Sequence, residues 1–90
     1  QRAESDLRLA LQVLSLREAS ARAASASSKW ALEAEVLARA AWKEGASTNI
    51  ELIEAERGAR DAESLAEVAR TSQWAAQLEL LVAAGRRPTR

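Results

Sequence analysis

The sequence has no cysteine and no histidine. That excludes disulfides, thiolate zinc sites, Cys/His nucleophile pairs and histidine general bases. It has no Phe, Tyr or Met, and only 3 Trp, so a large aromatic core is excluded as well. With Gly 3 and Pro 1 there is no Gly-rich phosphate loop, and few places where the chain can turn. Neither sign of charge prevails: Lys+Arg 13 balances Asp+Glu 13. A basic footprint for nucleic acid is therefore missing, apart from three arginines in the terminal "GRRPTR". No apolar run approaches the roughly 20 residues that span a bilayer, and no signal peptide is recognisable. A membrane-surface helix would need a cationic polar face, which the mixed Glu/Arg pattern does not supply. These absences leave a non-enzyme without cofactor or metal, no nucleic-acid partner and no direct membrane insertion.

What remains is a helix-forming composition. Hydrophobic residues are 48% of the 90-residue chain, and about half of them are alanine. Alanine, leucine, glutamate and arginine are strong helix formers, and their excess reads as long helix or coiled coil. Glu4/Arg8, Glu18/Arg22, Glu35/Arg39 and Glu56/Arg60 are spaced i,i+4 with the acid first, the favourable order for a solvated helix face. The spacing predicts a single helical hairpin over 1–90: helix about 3–43, turn 44–48, helix about 49–84 and a tail at 85–90.

Alternating steps of four and three define a charge-free stripe on each helix. On the first it runs through Leu9, Val13, Leu16, Ser20, Ala23, Ser27, Trp30, Ala34, Leu37 and Ala41. On the second it runs through Leu52, Ala55, Ala59, Ala62, Ala66, Ala69, Gln73, Ala76, Leu80 and Ala83. Folding the chain at its midpoint sets Trp30 against Ala62, Leu16 against Ala76 and Ser20 against Gln73. Large residues then meet alanine, and polar meets polar. The expected fold is all-α: a long antiparallel two-helix coiled-coil hairpin with an Ala-rich seam and its turn at 45–48. Leu7, Leu11, Leu14, Leu32 and Val36 on the first helix, and Leu65, Val68, Trp74, Leu78, Leu81 and Val82 on the second, fall off these stripes, and a hairpin of this size buries little on its own. The stripe of Leu65, Val68, Trp74, Leu78 and Leu81 predicts self-association.

The turn, "AWKEGASTNIELIEAERG", has its own chemistry. Gly45 suits the left-handed residue that ends a helix. Thr48 and Glu51 have the spacing of a capping box. Gly85 and Pro88 are the corresponding stop signals of the second helix. Gly58 lies inside that helix, at a cost of about 1 kcal/mol relative to alanine, and invites a close neighbour. Trp42, just before the turn, has little to bury against.

These residues resemble the helical repeat of the TolC-like outer-membrane efflux proteins. The pattern there is an aromatic, a glycine, small and hydroxyl residues, an acidic-aliphatic-aliphatic-acidic-Ala run, then a long alanine-rich helix ending near Leu and Gly. Trp42, Gly45, Ser47 and Thr48, then Glu51-Leu52-Ile53-Glu54-Ala55 and Gly85, occupy those places. The likeness covers about residues 30–85. The chain opens on "QRAESDL" with helical pattern almost at once, which reads as a segment of a longer protein. The resemblance implies a trimeric channel whose helical hairpins form a periplasmic tunnel in a Gram-negative bacterium. It implies a tip at Trp42, Gly45, Ala46, Ser47 and Thr48 that docks a periplasmic adaptor (membrane fusion) protein of a tripartite efflux system. Glu51 and Glu54 take the places of acidic residues at the tunnel entrance. The chain lacks the family's strands and its second repeat. The alternative is a structural or designed antiparallel coiled-coil hairpin that self-associates through its helix faces.

Overall fold

The computed structural model describes residues 2–85 as two helices, α1 (Arg2–Lys43) and α2 (Asn49–Gly85). α1 runs 42 residues because nothing interrupts it: it contains no Gly and no Pro, and it carries Glu4 in the first turn and Lys43 in the last. Those charges complement the helix dipole. α2 opens with Glu51 in its first turn and runs 37 residues through Gly58. The helices pack side by side into a rod 63 Å long and 13 Å wide, with no strands among the described residues. The chain's radius of gyration is 20.0 Å, against about 12 Å for a compact domain of this length. Gly85 is still helical; the remainder of the expected tail, with Pro88, lies outside the described residues.

The seam of α2 is the expected one. Leu52, Ala59, Ala66, Ala76 and Ala83 are buried, and Ala55, Ala62, Ala69, Gln73 and Leu80 are half-buried. α1 is different. Its inward line runs through Leu7, Ala10, Leu14, Ala21, Ala24, Ser28, Ala31, Glu35 and Ala38. This is one residue on from the expected stripe, a rotation of about 100°. Of the expected positions only Val13 and Ala41 are half-buried. Leu9, Leu16, Trp30 and Leu37 point outward, 59–72% exposed. Trp30 therefore does not pack on Ala62, nor Leu16 on Ala76.

The reason is size. Alanines along α2 offer shallow relief, and a facing line of Ala and Ser lets the two backbones approach as large residues would not. The line used by α1 carries Glu35 and is flanked by Glu18, two half-buried carboxylates, so it is not charge-free as the expected stripe is. Both sit at the edge of a two-helix contact, where a long side chain still reaches water. Glu35 is further held by Arg39, which donates to Glu35 Oε2 and across the hairpin to Glu56 Oε2, each at 2.9 Å. Of the four expected i,i+4 pairs only Glu35/Arg39 forms among the described residues; Glu56 is taken by Arg39, and Arg70–Glu67 is an additional i,i+3 pair. The two carboxylates are also what raises the pKa of Arg39. The core that results is thin. Among the described residues six are buried, five of them alanine, and no large side chain is fully enclosed.

The expected stripe on α2 divides as well. Leu65 and Trp74 are nine residues apart, two and a half turns, and so face opposite sides. Leu65, Val68 and Val82 share the side of the rod that carries Leu9, Leu16 and Trp30. Trp74 and Leu81 lie on the other, with Arg39, Glu56 and Arg70.

Candidate docking tip

Each turn residue has a specific backbone task. α1 ends when Gly45 takes φ 80°, the one positive φ among the described residues. The Gly45 amide donates to the Trp42 carbonyl at 3.0 Å, and the Ala46 amide to the Ala41 carbonyl at 2.8 Å. This pair of bonds is the Schellman motif, which satisfies carbonyls a helix end leaves free. Two residues later α2 begins. The Glu51 amide donates to Thr48 Oγ1 at 3.1 Å, and the Thr48 amide to Glu51 Oε1 at 2.9 Å, completing the capping box in both directions. The Leu52 amide donates to the Thr48 carbonyl at 3.1 Å, the first bond of the new helix.

Two further contacts stiffen this frame. The Ser47 hydroxyl donates to the same Glu51 Oε1 at 3.0 Å. The Trp42 indole N–H donates to Asn49 Oδ1, tying the last turn of α1 to the first residue of α2. The Thr48 amide, followed by the Ser47 hydroxyl, lowers the pKa of Glu51 despite some desolvation. Glu51 is therefore ionised at neutral pH, and its charge is engaged in holding the turn. Asn49 had no assigned role in the sequence. Its signal was its place as the first residue of α2, seven from a tryptophan across a turn.

The structure thus gathers Trp42, Gly45, Ser47, Thr48 and Glu51 into one hydrogen-bonded turn at the end of the rod. Ala46 projects there exposed, and Glu54 lies exposed one turn along α2. Ile50 (68%) and Ile53 (50%) add exposed apolar surface. No buried side-chain polar atom among the described residues lacks a partner. The Ser47 hydroxyl and the Glu51 carboxylate are engaged within the turn, and Ala46, Trp42 and the two isoleucines are exposed beside the charged Lys43 and Glu44. Such a surface offers shape and apolar area at the end of the rod. A search of protein-family models found no match, and neither the curated proteins nor the solved structures gave one. No helix among the described residues is long and apolar enough to cross a membrane, and none of their acidic side chains form a group able to hold a metal ion.

Proposed function

We propose that this hairpin is a periplasmic tunnel segment of a TolC-like outer-membrane efflux channel, and that its tip docks the hairpin tip of a periplasmic adaptor protein. The observation that carries the reading is the tip. The residues on which the resemblance rests, Trp42, Gly45, Ser47, Thr48 and Glu51, are the ones bound together in the turn. The frame is closed by its own hydrogen bonds and lies at the end of a 63 Å rod. The small residues Gly45, Ala46 and Ser47 at its end let a second helical turn come close. Glu54, unlike Glu51, is free to contribute charge to the entrance and favour cationic solutes.

The test is a bulky substitution at Ala46 in the full-length channel. Ala46→Trp adds volume at an exposed position with an ordinary backbone conformation. Gly45→Trp would add left-handed strain of about 1–2 kcal/mol to the same steric effect. The reading expects Ala46→Trp to abolish adaptor cross-linking and efflux while the channel remains folded and in the outer membrane. Unchanged cross-linking would reduce the tip to a turn. The second reading is a coiled-coil hairpin that self-associates without an adaptor. What favours it is the exposed apolar stripe of α1.

A further inference from the structure

The two side-chain hydrogen bonds that cross from α1 to α2 among the described residues both lie at the tip end of the rod. Arg39 donates to Glu56 Oε2 at 2.9 Å, and the Trp42 indole N–H donates to Asn49 Oδ1. Asn49 and Glu56 are seven residues apart on α2, as are Trp42 and Glu35 on α1. Seven residues, two turns of a coiled coil, return to the same side of a helix. Both bonds therefore share one edge of the hairpin. Toward the other end of the rod the helices meet mainly through alanine and aliphatic side chains.

Asn49 is not needed to start α2. Thr48 and Glu51 already cap that helix reciprocally. Asparagine is a weak helix former because its side chain competes for nearby backbone groups. Here its side-chain oxygen turns to the indole across the turn instead. Trp42 is thereby held at two points, since its carbonyl accepts the Gly45 amide at 3.0 Å. It is 42% exposed, against 72% for Trp30 and 61% for Trp74, so it is drawn toward the turn yet still offers surface to a partner.

We infer that Asn49 is a positioning residue: it fixes the Trp42 ring in one orientation, as a preset aromatic contact at the edge of the tip for the adaptor's helical turn. The inference rests on the docking reading and adds to it a residue to which the resemblance gives no role. An unheld tryptophan loses rotamer freedom when a partner closes on it, and that loss subtracts from affinity. A ring already fixed in the free hairpin avoids the loss. A hydrogen bond behind the contacting side chain is the support that keeps a recognition surface in its productive geometry. Ile53, four residues after Asn49 and 50% exposed, carries apolar surface along the same side of α2.

The experiment has two arms. In the 90-residue chain, NMR follows hydrogen exchange of the three indole N–H groups, with circular dichroism as the check on helix content. Asn49→Ala should speed exchange at Trp42 by about 2- to 10-fold, the range that the net contribution of one neutral hydrogen bond converts to, and leave Trp30 and Trp74 unchanged. Asn49→Asp, which keeps the acceptor oxygen, should keep the slow rate. The second arm uses cells that make the full-length protein with a photo-crosslinking amino acid at Ala46, and compares the yield of adaptor product at matched expression. Asn49→Ala should lower the yield by about 2- to 10-fold, and Asn49→Asp should restore it. Trp42→Phe, which keeps a ring but has no N–H, should also lower it. Adding Asn49→Ala to Trp42→Phe should cost nothing more, because both remove the same bond. Unchanged Trp42 exchange in Asn49→Ala, or a rise shared by all three indoles, would overturn the inference. So would an undiminished yield in Asn49→Ala, an equally low yield in Asn49→Asp, or losses that multiply in the double variant. No adaptor product from the parent would overturn the docking reading itself, and this inference with it.

Discussion

Gly45→Ala and Gly58→Ala are the same chemical change at two open positions, and they should move stability in opposite directions. Neither glycine has an atom within 4 Å of the added Cβ, so sterics with neighbours drop out and backbone conformation decides. Gly45 sits at φ 80°. An L-residue there carries a left-handed penalty of about 1–2 kcal/mol, which outweighs the entropy the alanine removes from the unfolded chain. Gly58 is helical within α2, where alanine is favoured by about 0.8–1.0 kcal/mol. The two variants should therefore differ by about 2 kcal/mol, or roughly 8–16 °C in Tm at the 4–8 °C per kcal/mol expected for a domain this small. Urea unfolding followed by far-UV circular dichroism measures it. Equal shifts, or a stabilising Gly45→Ala, would refute the left-handed turn.

Four further outcomes follow from the structure. Thr48→Ala removes the acceptor for the Glu51 amide and should cost about 1 kcal/mol, seen as a lower urea midpoint at unchanged slope. Glu51 has a folded-state pKa below its ordinary value of 4.5, so its contribution is complete above that value and fades as pH falls through the folded pKa. Glu51→Gln should accordingly lose stability at pH 7 and show a shallower acid decline than the parent in a pH series of urea midpoints. Ala59, 2% exposed, should tolerate Leu poorly, with about 1–3 kcal/mol lost to overpacking. Leu16→Ala, at 69% exposure, should cost the isolated hairpin little, and a large loss in a monomeric background would return Leu16 to the seam.

The parts of this fold legible in sequence are those set by local chemistry. A glycine that must be left-handed, a threonine three residues before a glutamate, and an uninterrupted alanine-rich run each act within one turn of helix. The turn, the helix limits and the α2 seam follow from them, since only one line on α2 is nearly all alanine. The seam of α1 was not legible, because α1 offers two lines one residue apart. The charge-free line with Leu16 and Trp30 reads better by hydrophobicity, but the line with Ala21, Ala31 and Ala38 fits closer to an alanine partner. Counting charges disfavoured it, since neither the Arg39 clamp on Glu35 and Glu56 nor the access of an edge carboxylate to water is visible along one helix. At the tip, sequence identified Trp42 as an exposed aromatic. Its bond to Asn49 depends on how the turn closes, and that is settled only in three dimensions.

Docking of the tip is tested most directly by a photo-crosslinking amino acid at Ala46 in Gram-negative cells that make the full-length protein, with Thr71, far along the exposed side of α2, as the control position. The account predicts that light links Ala46 to the helical hairpin of a periplasmic adaptor, identified by mass spectrometry, and that Thr71 yields no such product. Equal incorporation at both positions with no adaptor product at Ala46 would contradict it.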